Sequence, residues 1–107
     1  MTYTVLIDPK AKQDLLELFQ YVLLNDGYNQ ADELVTAIES VIYKLEEYPK
    51  RGHIPEELRG TGVKKYLEVH YKPYRIIYDI TGTEVYVHCV LDGRRNIQEI
   101  LSERVLR

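Results

Sequence analysis

The alternation of polar and apolar residues in the first half of the chain predicts a strand followed by two helices. Positions 2–7 alternate and are rich in β-branched residues, which is typical of a strand. Asp8 is a predicted N-cap, and apolar residues then recur at helical spacing until the turn Asn25–Gly27. A second helical stripe runs from Asn29 to Tyr48 and is stopped by Pro49. The short turn between them predicts an antiparallel helical hairpin.

The second half changes to the two-residue period of strands. Pro49–Gly62 is predicted to be a loop with a short helical turn at Glu56–Leu58. Three strands and a short helix are then expected, at Val63–Tyr71, Tyr74–Thr81, Glu84–Leu91 and Asn96–Leu106. The pattern favours an α+β fold with the hairpin packed on one face of a mainly antiparallel four-stranded sheet, formed by residues 1–107 as a single domain.

Two short turns predict the strand register. If Lys72-Pro73 and Gly82-Thr83 close two hairpins, directly opposed residues point to the same side of the sheet. One face then collects Leu67, Val69, Tyr71, Tyr74, Ile76, Tyr78, Ile80, Val85, Val87, Cys89 and Leu91, which the helices are expected to cover. The other face, expected to be uncovered, collects Tyr66, Glu68, His70, Arg75, Ile77, Asp79, Tyr86, His88 and Val90.

The distribution of charge adds a possible binding surface. Residues 1–48 carry three Lys/Arg against nine Asp/Glu, whereas residues 49–107 carry eleven against eight. A basic half can bind a polyanion, although two ordinary solvated surfaces explain the same numbers. The single cysteine fits a reducing cytosol, and neither a signal peptide nor a membrane helix is expected. We therefore expect a cytoplasmic protein.

The polar side chains of the uncovered face suggest a site for a phosphate-bearing ligand. Arginine offers a planar fork for phosphate oxygens, and histidine and glutamate can exchange protons near neutral pH. Metal-independent RNA cleavage needs such a combination of a base, an acid and cations. The candidates are Glu68, His70, Arg75, His88, Arg94 and Arg95. The alternative is that a sheet covered on one face only carries these polar groups because its other face is exposed to solvent.

Other chemistry is less well supported by the sequence. His53 is expected to be solvated in its loop, and one cysteine with three scattered histidines offers little for a zinc site. Cys89 is expected to be a core thiol rather than a nucleophile. No cofactor is expected.

Five segments together resemble the RelE/ParE superfamily of bacterial toxins from type II toxin–antitoxin modules. They are "AKQDLLELFQYV", "ADELVTAIESVIYKLEEYPKRG", "EELRGTGVKKYLE", "PYRIIYDI" and "VYVHCVLDGRRNIQEIL", and they cover almost the whole chain. The resemblance implies a toxin that a cognate antitoxin neutralises in a hetero-oligomer. RelE-like members cut mRNA on the ribosome without metal, and ParE-like members instead poison DNA gyrase by binding it.

The resemblance also implies roles for individual residues. Arg75 matches the strand arginine that contacts phosphate in the ribonuclease branch, and Arg95, with Arg94 as its alternative, matches the arginine after the last strand. Glu68, His70 and His88 are the candidates for proton transfer, and Lys64 and Lys65 the candidates for substrate binding.

The chain also departs from the ribonuclease pattern. The C-terminal tyrosine of RelE-like toxins falls at Leu101, and their spaced lysines fall near Leu67 and Val69. Ribosome-dependent mRNA cleavage is the first expectation. Gyrase inhibition and a degenerate, non-toxic partner of the antitoxin are the alternatives.

Overall fold

The helical hairpin forms as the hydrophobic pattern predicts. The computed structural model describes residues 2–95 and 97–104. In it strand β1 is Thr4–Ile7, helix α1 is Pro9–Asp26 and helix α2 is Tyr28–Tyr43. The Asp8 side chain accepts a hydrogen bond from the backbone N–H of Lys10, so it caps α1 as expected. Gly27, at a φ of 95°, separates the helices in the left-handed region that glycine tolerates.

The second half contains the predicted strands, with small differences at their ends. Strand β2 is Tyr66–Tyr71, β3 is Tyr74–Thr81, β4 is Glu84–Asp92, and helix α3 is Ile97–Arg104. The predicted turn at Glu56–Leu58 is a 3₁₀ helix. Helix α2 is shorter than predicted, because Lys44–Glu46 continues it as a 3₁₀ turn. Of the predicted last helix, Asn96 and residues 105–106 lie outside the described residues. The predicted α+β class is confirmed.

The four strands form one mixed sheet in the order β1-β4-β3-β2, in which only β1 runs parallel to its neighbour. The β2–β3 register is as predicted, with Tyr71 opposite Tyr74 and Val69 opposite Ile76. The helical hairpin packs on one face, over a core of Ala11, Leu15, Ile38, Ile42, Leu45, Val69, Ile76, Tyr78, Val85, Val87 and Val90.

The predicted β3–β4 register is wrong beyond the middle of the strands. Tyr78 lies opposite Val87 as expected, but Ile77 rather than Ile76 lies opposite Cys89, because the register shifts between Ile77 and Tyr78. A β-bulge of this kind inserts one extra residue on one strand and exchanges the faces beyond it. Cys89 and Leu91 therefore leave the helix face, and Val90 joins it.

The face predicted to be uncovered is covered in part. Leu58 from the loop and Leu101 from α3 pack against Ile77, Cys89 and Leu91 to form a second apolar cluster. This second layer was not predicted, because the bulge moves two apolar side chains of β4 to that face. Cys89 is a buried thiol as expected, and burial raises its pKa to about 12.

Helix α3 is held to the rest of the fold by an ion pair. Arg104 donates to both carboxylate oxygens of Asp14 in α1, at 3.0 and 2.7 Å. Asp14 also accepts from the backbone N–H of Val90, where β4 continues past its partner β1. One carboxylate therefore joins α1, β4 and α3, and the pairing raises the pKa of Arg104. Among the described residues, the helices are too short or too polar to cross a membrane.

Candidate functional site

Arg75, the strand arginine of the predicted site, is held by two carboxylates. Its Nη1 and Nη2 donate to the two oxygens of Glu57, each at 2.7 Å, and its Nε donates to Glu68. Its side chain is only 15% exposed, and that of Glu68 is 2% exposed. The expectation that Arg75 stands on an uncovered face is therefore wrong, because the loop folds over it and supplies Glu57.

The pairing changes the acidity of its members. The hydrogen bonds from Arg75 lower the pKa of Glu57, and those to Glu57 raise the pKa of Arg75. Both groups therefore stay charged across the physiological range. Three of the five guanidinium N–H groups are used by carboxylates, along both edges of the fork.

Two histidines lie around the same buried glutamate. His53 Nε2 is 3.3 Å from one oxygen of Glu68, and His70 Nε2 is 3.5 Å from the other. His70 and Glu68 were predicted to share a site, and the structure brings them together. His53 was expected to be solvated rather than functional; it is half exposed, and it also contacts Glu68, which the sequence did not predict.

A glycine and a tyrosine allow the loop to approach β2. A Cβ on Gly52 would lie 2.6 Å from both the Glu68 carbonyl oxygen and the Tyr78 hydroxyl, so a side chain does not fit there. The buried Tyr78 hydroxyl donates to the Pro49 carbonyl at 2.7 Å and accepts from the Gly52 N–H at 3.1 Å. This contact fixes the loop at the point from which His53 reaches Glu68.

His88 is not part of the Glu68 group. Its Nε2 lies 2.9 Å from Asp79, a carboxylate that is almost completely buried in β3. Lys65 Nζ lies 3.5 Å from the same carboxylate, and the rings of Tyr66 and Tyr86 flank the imidazole at 5.5 and 5.0 Å. The predicted site is therefore divided into at least two separate clusters.

The remaining predicted cations lie elsewhere. Arg94 is exposed, and its side chain donates twice to Asp92, at 2.9 and 2.6 Å, which lowers the pKa of Asp92 to about 2. Arg94 and Arg95 line a cavity of about 300 Å³ that Tyr21 of α1 and Tyr74 of β3 also line, on the helix side of the sheet. Lys64 is exposed in the loop before β2.

Two carboxylates that complete these clusters were not assigned roles from the sequence. Asp79 was predicted to share a face with His88, which the structure places beside it, and its charge in the middle of an apolar strand was a usable signal. No pattern in the sequence predicted the contact of Glu57 with Arg75, because Glu57 lies 18 residues away in an irregular loop. Its position depends on how the loop folds.

The sequence matches a toxin family over most of its length. A family model described as "ParE toxin of type II toxin-antitoxin system, parDE" matches residues 5–97. The chain belongs to the ParE toxin family. Toxin ParE3 of Caulobacter vibrioides is 31% identical over 91 residues, which cover 85% of this chain and 87% of that protein. The superfamily that the sequence resembles is thereby confirmed.

Solved structures share the fold of this ParE family member at low sequence identity. The chromosomal ParDE toxin–antitoxin system from P. aeruginosa matches with a TM-score of 0.69 and 16% identity, over 83% of this chain and 94% of the other. A mutant of E. coli toxin RelE in the free state matches with a TM-score of 0.65 and 18% identity, over 100% and 98%. The toxin–antitoxin complex RelBE2 from Mycobacterium tuberculosis matches with a TM-score of 0.60 and 21% identity, over 84% and 96%.

Proposed function

We propose that this toxin arrests growth by binding DNA gyrase, and that a cognate antitoxin neutralises it. The ParE family match and the ParE3 relative support this branch. ParE-like toxins act by binding, with no assigned catalytic residues, so the proposal requires a surface rather than an active site. Ribosome-dependent mRNA cleavage, the first expectation from the sequence, becomes the second candidate.

The observation that carries the proposal is the pairing of Arg75. In a ribonuclease this guanidinium would have to bind a phosphate, but Glu57 occupies both of its terminal nitrogens and Glu68 its Nε. Two carboxylates around one guanidinium leave an excess of negative charge, which repels a phosphate. Opening this site for RNA would expose a buried carboxylate and break charge-assisted hydrogen bonds, which are stronger than neutral ones.

One arrangement favours the second candidate. A buried carboxylate that orients an imidazole is a common arrangement for a general base, and Asp79 holds His88 at 2.9 Å. The nearby cation is Lys65, which the same carboxylate attracts. Arg75 belongs to the other cluster, so this pair does not have the arginine that the ribonuclease branch uses.

An antitoxin partner is supported by the nature of the structural relatives, two of which are a ParDE system and a RelBE2 complex. The helical hairpin also exposes large apolar side chains, as expected of a surface that a partner covers. They include Leu16, Tyr21, Leu23, Leu24 and Tyr28. We propose that an apolar antitoxin segment binds along this surface, and that toxin and antitoxin form a hetero-oligomer.

The proposal is tested with the purified chain in two assays run side by side. One follows supercoiling of relaxed plasmid by gyrase, and the other follows cleavage of mRNA on translating ribosomes. Inhibition of gyrase without mRNA cleavage supports the proposal, and the product of the adjacent gene should restore supercoiling. Cleavage of mRNA with gyrase unaffected would establish the second candidate. Activity in neither assay would contradict the proposed function.

A further inference from the structure

Three potential metal ligands converge where the loop before β2 meets the sheet. One ligand atom from each of His53, Glu68 and His70 lies within 4.8 Å of the other two. We propose that these three side chains form a binding site for a divalent transition metal ion, with Zn²⁺ the best fit. The ion would fasten the loop that carries Glu57 to strand β2. This inference does not depend on the cellular target of the toxin.

The distances suit a metal better than direct hydrogen bonds. The two nitrogens lie 3.3 and 3.5 Å from the nearest Glu68 oxygen. Good N–H···O hydrogen bonds are shorter, at about 2.7–3.2 Å. In a tetrahedral zinc site with bonds of about 2.0–2.1 Å, neighbouring ligand atoms lie about 3.3–3.4 Å apart. The two histidine–glutamate spacings are close to this value but end on different oxygens of Glu68, so a tetrahedral site needs a small rotation of the carboxylate or of a ring to bring both nitrogens to one oxygen.

The backbone fixes the three ligands on one side of the sheet. His53 and Glu68 form an antiparallel backbone bridge. The His53 N–H donates to the Glu68 backbone carbonyl at 3.1 Å, and the Glu68 N–H donates to the His53 backbone carbonyl at 2.7 Å. His70 lies two residues beyond Glu68 in β2, and side chains at this spacing point to the same face. The His53 and His70 rings accordingly lie 5.2 Å apart between centroids. The site is therefore largely formed before an ion binds.

The donor set is chemically appropriate. Two imidazoles and one carboxylate bind Zn²⁺ in several enzymes, with a fourth position open to water. His53 and His70 are 51% and 37% exposed, so an ion and its water can reach them. Arg75 donates to the Glu68 oxygen nearer His70, which orients the carboxylate and leaves its second oxygen facing His53. The two carboxylates beside Arg75 compensate its positive charge.

Titration of the purified chain with ZnCl₂, followed by calorimetry, tests the site directly. We expect one Zn²⁺ per chain with a dissociation constant in the micromolar range, a higher thermal midpoint, and the visible absorption of tetrahedral Co²⁺ when CoCl₂ is used instead. Loss of one ligand, by His53→Gln or His70→Gln, should weaken Zn²⁺ binding at least about tenfold. His88→Gln is the matched control, because His88 lies in the other cluster, and it should bind Zn²⁺ as the parent does.

NMR of the unmodified chain keeps the test independent of variant folding. Zn²⁺ should shift the imidazole signals of His53 and His70 and leave those of His88 in place. The proposal is overturned if Zn²⁺ binds only in the millimolar range, if the double variant H53Q/H70Q binds as tightly as the parent, or if the His88 signals shift first.

Discussion

Glu57 binds Arg75 through two parallel hydrogen bonds, from Nη1 and Nη2 to the two carboxylate oxygens, each 2.7 Å long. This contact joins the 3₁₀ turn of the loop to the centre of the sheet, and Glu68 completes it from β2. In the chain without a partner, Arg75 therefore has a structural role, because it holds two carboxylates together. The same contact explains an arginine in a strand whose neighbours are apolar, because the charge is buried with partners.

Replacing Arg75 should lower stability. Arg75→Ala leaves Glu68, which is 2% exposed, without its arginine, and breaking a buried ion pair in this way costs about 3–5 kcal/mol. Urea denaturation measures this change in the free energy of unfolding. The sequence alone placed Arg75 on an uncovered face, where a substitution usually costs little stability. Arg94→Ala is the matched control, because its side chain is 75% exposed, and its unfolding midpoint should stay that of the parent. Equal midpoints for the two variants would contradict the role of Arg75.

The Glu57–Arg75 pair should make stability depend on pH in the acid range. The pKa of Glu57 in the folded protein lies below its ordinary value of 4.5. As the pH falls, the Glu57 carboxyl is therefore protonated in the unfolded chain before it is protonated in the folded protein. The stabilisation from the pair is complete above about pH 4.5 and is lost as the pH falls through the lower pKa of the folded state. Glu57→Gln should remove this part of the acid loss, whereas Glu56→Gln, at the exposed preceding position, should retain it. Urea midpoints between about pH 6 and pH 3 measure it; identical profiles for parent and Glu57→Gln would refute the pairing.

The Tyr78 hydroxyl should contribute measurably to the attachment of the loop. Tyr78→Phe keeps the buried ring but leaves the Pro49 carbonyl and the Gly52 N–H without this partner, at a cost of about 1–2 kcal/mol. Tyr71→Phe, at an exposed position of β2, is the control and should leave stability unchanged. Hydrogen exchange should show faster exchange of the His53 amide in Tyr78→Phe alone. Unchanged protection there would mean that other contacts hold the loop.

The extent to which this fold follows from its sequence can be judged from β4. Its turn at Gly82-Thr83 sets the register correctly as far as Val87, because a two-residue turn and alternating side chains leave one pairing. The bulge beyond it turns Cys89 and Leu91 towards Leu58 and Leu101, which are distant in the sequence and carry no periodic signal. The candidate site was likewise predictable only where its residues are close in the sequence. Residues Glu68 and His70, two apart on one strand, were predicted together, whereas Glu57 and His53 join them only through the folded loop.

Growth arrest should not require the residues that a ribonuclease would use for proton transfer. Under gyrase binding, His70→Gln and His88→Gln should arrest growth as the parent does, since a toxin that acts by binding needs no group for proton transfer. Plating efficiency after induction, with expression levels matched by immunoblot, measures this. Loss of arrest in His88→Gln while the variant still folds and binds the antitoxin would point instead to catalysis by the Asp79–His88 pair.

The most direct test of gyrase as the target is pulse-labelling of DNA and protein synthesis in the first minutes after this chain is induced without its neighbouring gene. Gyrase inhibition predicts that incorporation into DNA falls first, while protein synthesis continues, and that co-expression of the antitoxin prevents the fall. An immediate fall in protein synthesis, with DNA synthesis unaffected at that time, would contradict this account and identify mRNA on the ribosome as the target.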